Sequence, residues 1–264
     1  MRVTLLCTVR SCASPLAASG RSHLCANGHS FDLARSGYLN LLQPQDRRSS
    51  QPGDTPAAVA ARRRFLTAHG SPLDLSSFFA EADTLLDVGC GEGHHLSTLP
   101  PAVEAHGVDI SVPAIDAAAH RYRDAFFTVA NADRFLPYAD ASFAAVTSIT
   151  SRMNPPEFRR VLRPEGRLLL ALPAPDDLLE LRAAVLGSGE ERSRVSRTVD
   201  LFAPLFTLVH QERVHHTAHL DHQSIEDVMT SSYRGLRTRE RERMAAVDGM
   251  EVTMSRDVLV FAPR

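Results

Sequence analysis

The sequence predicts an α/β fold with a doubly wound sheet, preceded by a small module built on cysteine and histidine. Two observations carry this prediction. From residue 84 onward, short apolar runs suited to buried strands alternate with segments that read as helices. The first of these runs leads directly into the loop Gly89-Cys90-Gly91-Glu92-Gly93, whereas three of the four cysteines lie within the first 25 residues.

Cysteine and histidine form two closely spaced pairs in the N-terminal module. Four residues separate Cys7 from Cys12, and three separate Cys25 from His29. Such pairs suit tetrahedral zinc, which also stabilises a segment too short to bury a core of its own. A disulfide is disfavoured by the odd number of N-terminal thiols and the lack of a secretory signal. Zinc held by four protein ligands would be structural, and unrelated buried thiols remain the alternative.

Charge is distributed unevenly along the chain. The 29 basic residues are all arginine and face 31 acidic residues, so the formal net charge is −2. Nine arginines and three aspartates fall within residues 1–70, which leaves +6 there and −8 on the remainder. Such asymmetry indicates an anionic partner for the N-terminal part. No apolar run is long enough for a membrane helix and no signal peptide is evident, so we expect a cytoplasmic protein without a membrane partner.

The predicted elements follow in order along the chain. Residues 44–56 are turn-rich and polar, which predicts a linker, and a helix follows over residues 57–68. Beyond the first strand, at residues 84–88, we expect a helix from about His94. Further strands are predicted at residues 106–110, 142–149, 167–172, 206–215 and 252–261, with helices at 157–162 and from about 176 and 224. The segments are then 1–43 for the module, 44–72 for the linker and basic helix, and 73–264 for the α/β domain.

The glycine-rich loop predicts the class of ligand. It departs from the dinucleotide fingerprint G-x-G-x-x-G, because His94 stands where the third glycine would be. The pattern present is D-x-G-x-G-x-G, with Asp87 before the first glycine. A carboxylate at this place suits a cationic ligand and would repel a diphosphate. Asp109 ends the next strand, 18 residues beyond Gly91, where it can accept hydrogen bonds from both ribose hydroxyls.

These motifs, in this order, resemble the class I S-adenosylmethionine-dependent methyltransferases, which have a Rossmann-like fold. The resemblance implies S-adenosylmethionine as cofactor. The segment from Val129 to Leu136 resembles the family's loop beside the adenine, although Asn131 stands where aspartate is commoner. The implied cofactor contacts are Asp87, Gly89, Cys90, Gly91, Glu92, Gly93, His94, Asp109, Ile110, Asn131, Ala132 and Leu136.

Residues 25–42 are similar to a signature of the 23S ribosomal RNA guanine-N1 methyltransferases, a family of housekeeping and macrolide-resistance enzymes. Gly53-Asp54, residues 61–66 and residues 178–181 add to the resemblance. It implies methyl transfer to N1 of a guanine in a 23S RNA hairpin loop, with 23S RNA as partner. The implied zinc ligands are Cys7, Cys12, Cys25 and His29, and the expected RNA contacts are Arg35, Tyr38, Arg47, Arg48, Arg62 and Arg63.

Two residues are candidates for the catalytic site. Arg152 and Asn154 lie in a segment similar to the one that faces the target base in this family, and either could bind the guanine carbonyl. The alternative is that both are polar residues at the start of a helix without a catalytic role, because such residues would give the same sequence pattern. The sequence also departs from the family, since residues 69–72 lack an expected aromatic and Asp177 replaces an expected histidine.

Two other functions remain open on the sequence. The first is a diverged methyltransferase acting on a small natural product, which the basic N-terminal part disfavours. The second is a binding protein without catalysis, which the intact cofactor motifs disfavour. The sequence leaves open which guanine is modified, whether the role is housekeeping or resistance, and whether the chain forms a homodimer.

Overall fold

A computed structural model of the chain describes residues 3–47, 49–187, 193–232 and 237–264. Its N-terminal part contains an antiparallel sheet of three short strands, β1 (Leu16–Ser19), β2 (Ser22–Cys25) and β3 (Ser30–Asp32). Gly20 opens the two-residue turn between β1 and β2 with a φ of +60°, a conformation that glycine adopts without strain. The sheet therefore forms a compact frame around the cysteine and histidine loops.

The remaining elements form an α/β domain around one large sheet. Its first half comprises β4 (Leu39–Asn40), α1 (Pro56–His69), α2 (Ser76–Phe79), β5 (Thr84–Val88), β6 (Glu104–Asp109), α3 (Val112–Arg121), β7 (Phe126–Val129) and β8 (Phe143–Ile149). Its second half comprises α4 (Pro155–Val161), β9 (Leu162–Pro173), α5 (Leu179–Leu186), α6 (Val195–Phe202), β10 (Phe206–Asp221), α7 (His222–Ser232), α8 (Thr238–Ala245) and β11 (Gly249–Pro263).

The large sheet has eight strands in the order β10-β11-β9-β8-β5-β6-β7-β4. The strands from β9 to β4 are parallel, whereas β11 runs antiparallel to both β9 and β10. The predicted fold class is confirmed, with a mixed sheet instead of a wholly parallel one. Because the carboxyl ends of β5, β6, β7 and β8 meet at one edge, the loops that follow these strands can share a site.

Most predicted elements are present, with three local differences. The structure describes every residue between the glycine loop and β6, and none of them forms an α-helix; residues His95–Thr98 form a single 3-10 turn, because Pro100 and Pro101 cannot continue a helix. The strand predicted at residues 167–172 begins earlier, because β9 starts at Leu162, directly after α4. The helix expected from about residue 176 begins at Leu179.

The N-terminal module and the large sheet share one hydrophobic core. Val3, Leu5 and Leu16 are buried in the same cluster as Val88 and Phe143 of the large sheet. The strand β4, which lies within the segment predicted as the module, pairs with β7 as an edge strand of the large sheet. The module is therefore packed directly on the α/β domain. Within the described residues, no helix is long and apolar enough to cross a membrane.

Candidate functional site

The four predicted zinc ligands converge in the N-terminal module. Their ligand atoms all lie within 4.8 Å of one another. The Sγ atoms of Cys12 and Cys25 are 3.8 Å apart, and the Sγ atoms of Cys7 and Cys25 each lie 3.4 Å from His29 Nδ1. A tetrahedral site with zinc–sulfur bonds of about 2.3 Å has sulfur–sulfur edges of about 3.8 Å and slightly shorter sulfur–nitrogen edges. The ligand set therefore fits zinc in its chemistry and in its dimensions.

The residues around the ligands support metal binding. Cys25 ends β2, and a turn through Gly28, whose φ is +80°, returns the chain so that the Cys25 N–H donates to the His29 carbonyl. The Asn27 amide donates to Cys12 Sγ at 3.2 Å. Hydrogen bonds from Ser14 and from Asn27 lower the pKa of Cys12 to about 5, which favours the thiolate that binds metal.

A cleft lies at the carboxyl ends of the central strands. Its larger part is a cavity of about 420 Å³ lined by loops after β5, β6, β7 and β8 and by part of the linker at Asp46, Pro52 and Gly53. A second cavity of about 250 Å³ adjoins it over the glycine loop. Both cavities are lined by Gly53, Gly89, Asp109, Ile110 and Ser151, so they are two ends of one cleft. This is the place where α/β sheets of this type bind ligands.

The glycine loop requires glycine for two reasons, its backbone conformation and the lack of space for a side chain. Gly89, Gly91 and Gly93 have φ values of +77°, +55° and +79°. A Cβ on Gly89 would lie 1.8 Å from the Ser151 hydroxyl oxygen, and a Cβ on Gly93 would lie 3.0 Å from the Tyr122 ring. The loop therefore packs tightly between β5 and the segment after β8, and it leaves its backbone exposed to the cleft.

Asp109 lies between the two parts of the cleft. Its Oδ2 accepts the Gly91 N–H at 3.0 Å, and its Oδ1 accepts the Ser111 N–H at 2.8 Å. Burial raises the pKa of this carboxyl. Each oxygen has a further lone pair, so the carboxylate can still accept the two hydroxyls of a ribose.

The structure brings most of the predicted cofactor residues to the cleft. Those that line it are Gly89, Cys90, Gly91, Glu92, His94, Asp109, Ile110, Asn131 and Ala132. The Cys90 thiol is buried, which raises its pKa and makes it a neutral wall of the site. Asp87, Gly93 and Leu136 do not line the cleft; of these, Leu136 is fully buried in the core, and its N–H donates to Glu157. Its proposed contact with the cofactor is therefore not supported.

Asp87 lies beneath the loop and not on the cleft surface. Its side chain is 1% exposed, and its Oδ1 accepts a hydrogen bond from Thr147 Oγ1 at 2.8 Å. Burial raises the pKa of Asp87 to about 7. The carboxyl therefore contacts the neighbouring strand β8 and does not reach the surface of the cleft.

The residues expected to contact RNA fall into two groups. Arg35, Arg47 and Arg63 are exposed, and Arg48 lies outside the described residues. Tyr38 is 9% exposed and packs in the hydrophobic core, so its ring cannot stack on a base. Arg62 also differs from the prediction, because its side chain points into the cleft and pairs with two carboxylates. The predicted RNA contact of Tyr38 is therefore not supported, whereas the Arg62 side chain, 27% exposed, is engaged by carboxylates of the chain itself.

Arg62 connects the linker to the glycine loop. Its Nη1 donates to Asp54 Oδ2 at 2.7 Å, and its Nε donates to Glu92 Oε2 at 2.8 Å. The Asp54 carbonyl in turn accepts the Ser111 hydroxyl at 2.9 Å, which holds the linker against the start of α3. This cluster is not apparent from the sequence, although Asp54 lies in a recognised motif, because the three residues are separated by up to 38 positions.

The two catalytic candidates occupy different environments. The Arg152 side chain is 78% exposed at the mouth of the larger cavity, with its Nε 3.9 Å from Asp133 Oδ2. Asn154 donates to the carbonyls of Ala132 and Asp133 at 3.0 and 3.1 Å, and its Oδ1 caps α4. The amide of Asn154 is therefore occupied by the backbone, whereas the guanidinium of Arg152 is accessible to a ligand.

Comparisons with known proteins agree with this architecture. Residues 6–50 match the zinc-ribbon family described as RlmA, N-terminal, and residues 85–169 match the family described as Methyltransferase domain. The chain is 37% identical to a 23S rRNA (guanine(748)-N(1))-methyltransferase of Streptomyces fradiae, over 96% of this chain and 95% of the relative. A Micromonospora griseorubida protein, provisionally named a 23S rRNA (guanine-N(1)-)-methyltransferase, is 37% identical over 64% of this chain and 66% of its own.

The fold agrees with that of solved methyltransferases. A SAM-dependent methyltransferase of Thermotoga maritima superposes with a TM-score of 0.50 at 14% identity, over 79% of this chain and 98% of its own. That similarity concerns the fold alone. The identity extends over almost the whole chain, and the zinc ligands and the glycine-rich cleft agree with it. The chain therefore belongs to the 23S rRNA (guanine-N1)-methyltransferase family, and it is an S-adenosylmethionine-dependent methyltransferase with a structural zinc ribbon.

Proposed function

We propose that this chain transfers a methyl group from S-adenosylmethionine to N1 of a guanine in a hairpin loop of 23S rRNA, in the cytoplasm. One observation carries the proposal beyond the family assignment. The linker that leaves the zinc ribbon forms a wall of the cofactor cleft, through Asp46, Pro52 and Gly53. An RNA held by the ribbon would therefore lie beside the cleft, where the methyl group must be delivered.

The two ends of the cleft suit the two ends of the cofactor. Asp109 would bind the ribose hydroxyls, with Ile110, Asn131 and Ala132 around the adenine in the larger cavity. The smaller cavity, over the glycine loop, would hold the amino-acid tail. When bound, S-adenosylmethionine supplies a methyl group on a cationic sulfonium. The carboxylates of Asp54, Glu92 and Asp109 in this region favour that positive charge.

Arg152 would act on the acceptor base. N1 of guanine carries a proton on the Watson–Crick edge, so the base has to be unpaired or flipped out before it reacts. A guanidinium that donates to the guanine carbonyl would stabilise the anion left when that proton passes to solvent water at the open mouth of the cavity. Arg152 lies at the open mouth of the larger cavity and is free to make this contact. Asn154 would instead keep the loop after β7 and the start of α4 in place.

The exposed arginines of the N-terminal part would hold the RNA backbone. Arg35, Arg47 and Arg63 are exposed, and Arg47 directly follows Asp46 at the wall of the cleft. Guanidinium groups bridge phosphates and stack on unpaired bases, both of which occur in a folded RNA hairpin. A small-molecule substrate would have no use for these charges around the ribbon, and this distinguishes the two candidate substrate classes.

The proposal is tested by offering labelled S-adenosylmethionine with three kinds of acceptor: 23S rRNA, free nucleosides, and small natural products. We expect label in 23S rRNA alone. Because a methyl group at N1 blocks base pairing, primer extension on the labelled RNA should stop at one guanine. Label in a small molecule, with none in 23S rRNA, would contradict the proposal.

A further inference from the structure

The smaller cavity contains one permanent cation. Among the described residues that line it, only Arg62, His94 and His95 can carry positive charge. Burial lowers the pKa of both histidines, that of His95 to about 3, so both are neutral at physiological pH. Asp54, Glu92 and Asp109 line the same cavity. An anionic ligand group in this cavity is therefore attracted by one guanidinium and repelled by three carboxylates.

The backbone of the glycine loop offers little to an anion. The N–H groups of Gly89 and Cys90 both donate to the Val108 carbonyl, and that of Gly91 donates to Asp109 Oδ2. The Gly93 N–H donates to the Cys90 carbonyl. The turn His95–Thr98 that follows is too short to act as a helix N-terminus for an anion. These four N–H groups are therefore not available to a carboxylate in this cavity, and the Arg62 guanidinium is its charged donor.

Two buried polar atoms of the cluster are left without a hydrogen bond. Arg62 donates with Nε and Nη1, but its buried Nη2 has no partner among the described residues. Glu92 accepts with Oε2, while its buried Oε1 likewise has no partner. Arg62 Nη2 lies over the glycine loop, 3.2 Å from where a Cβ on Gly91 would be. Buried polar atoms of this kind normally have a hydrogen-bond partner, so Arg62 Nη2 as a donor and Glu92 Oε1 as an acceptor are available to a ligand.

We propose that Arg62 Nη2 donates a hydrogen bond to the carboxylate of the cofactor's amino-acid tail, and that Glu92 Oε1 accepts a hydrogen bond from the ammonium group of the same tail. The tail is a zwitterion, and the two orphaned atoms are one donor and one acceptor on adjacent sides of an ion pair. The remaining arms of Arg62 hold Glu92 and Asp54, which fixes the guanidinium in place before the cofactor arrives. Arg62 is thus a cofactor-binding residue that selects for the tail's carboxylate.

The test compares binding of S-adenosylmethionine with that of decarboxylated S-adenosylmethionine, measured by calorimetry on the full zinc-loaded chain. These two ligands differ only in the carboxylate. We expect the unaltered protein to prefer the carboxylated ligand by about tenfold or more, the usual effect of one charged hydrogen-bonded pair. Arg62→Gln should abolish this preference through weaker binding of S-adenosylmethionine, while Arg62→Lys should retain part of it.

Arg64→Gln is the matched control. Arg64 lies on the same helix and also pairs with a buried carboxylate, Asp227, but it does not line the cleft. This variant should lose stability while keeping the full preference for the carboxylated ligand. A preference that survives Arg62→Gln, or an equal loss of affinity for both ligands in that variant, would overturn the assignment. The measurement needs no acceptor, so its outcome is independent of the RNA substrate.

Discussion

Leu5 forms an antiparallel bridge with Tyr138, which joins the zinc ribbon to the α/β domain. The Leu6 N–H donates to the Pro137 carbonyl and the Ala139 N–H donates to the Thr4 carbonyl, each at 3.0 Å. Tyr138 is fully buried, with its hydroxyl 3.1 Å from Thr128 Oγ1 on β7. The ribbon and the domain therefore share hydrogen bonds as well as a core, and they should fold as one unit.

Loss of the metal should consequently destabilise the whole chain. We expect Cys25→Ser to abolish stoichiometric zinc binding and to lower the melting temperature of a single, cooperative unfolding transition, because zinc binding contributes folding free energy. Cys90→Ala, which removes a thiol outside the ribbon, should retain one zinc per chain. Metal analysis and calorimetry provide the measurements, and two separate unfolding transitions would contradict a shared core.

The glycine loop should not tolerate a side chain at its first position. Gly89→Ala would place a Cβ 1.8 Å from the Ser151 hydroxyl and would also strain a φ of +77°. Gly20→Ala has a similar φ of +60° with no atom within 4 Å, so it should show the backbone strain alone, about 1 kcal/mol. We expect Gly89→Ala to weaken cofactor binding at least tenfold beyond any effect of Gly20→Ala. Equal affinities for the cofactor in the two variants would contradict the packing.

Substitutions of Arg152 and of Asn154 should have different effects on turnover and on stability. Arg152→Ala should lower kcat by about 10² or more with little change in thermal stability, because the residue is exposed and acts on the developing anion. Asn154→Ala should lower the unfolding free energy by about 1 kcal/mol through loss of a helix cap. Steady-state kinetics and thermal unfolding of both variants distinguish these effects. Intact turnover in Arg152→Ala would exclude the proposed role.

The pH dependence of stability should report on Asp87. Burial raises its pKa from an ordinary carboxyl value to about 7, so the folded chain retains a proton that the unfolded chain has lost. The free energy of unfolding should therefore fall as the pH rises from about 4 to about 7, by up to about 1.4 kcal/mol per pH unit from this group. Asp87→Asn should remove that contribution. Parallel pH profiles for the variant and the unaltered protein would contradict it.

RNA binding should depend on salt through the exposed arginines. Arg47→Ala should weaken binding to a 23S rRNA hairpin and reduce the salt dependence by about one released counterion. Arg197 is exposed on α6, which packs against β10 at the opposite edge of the sheet from β4, and it provides the control. We expect Arg197→Ala to leave affinity unchanged in filter binding across a salt series. An equal loss in both variants would mean that only overall charge matters.

Local sequence determined much of this protein. The spacing of Cys7, Cys12, Cys25 and His29 predicted a ligand set that the structure assembles, because each pair lies within a single turn of chain. The glycine loop and the carboxylate of Asp109 were likewise readable, because closely spaced glycines directly after a buried strand mark a backbone that adopts positive φ, as Gly89, Gly91 and Gly93 do. The buried strands were predicted because continuous apolar runs have to be enclosed.

Tertiary structure alone decided what the arginines do. Consecutive residues on a helix point about 100° apart, so the run Arg62-Arg63-Arg64 presents its side chains to three different surroundings. How α1 docks determines that Arg62 enters the cleft, Arg63 faces solvent and Arg64 pairs with Asp227, 163 residues away. The burial of Tyr38 depends in the same way on contacts with distant elements. The number of charged residues can be read from the sequence, whereas tertiary packing determines which of them can contact a ligand.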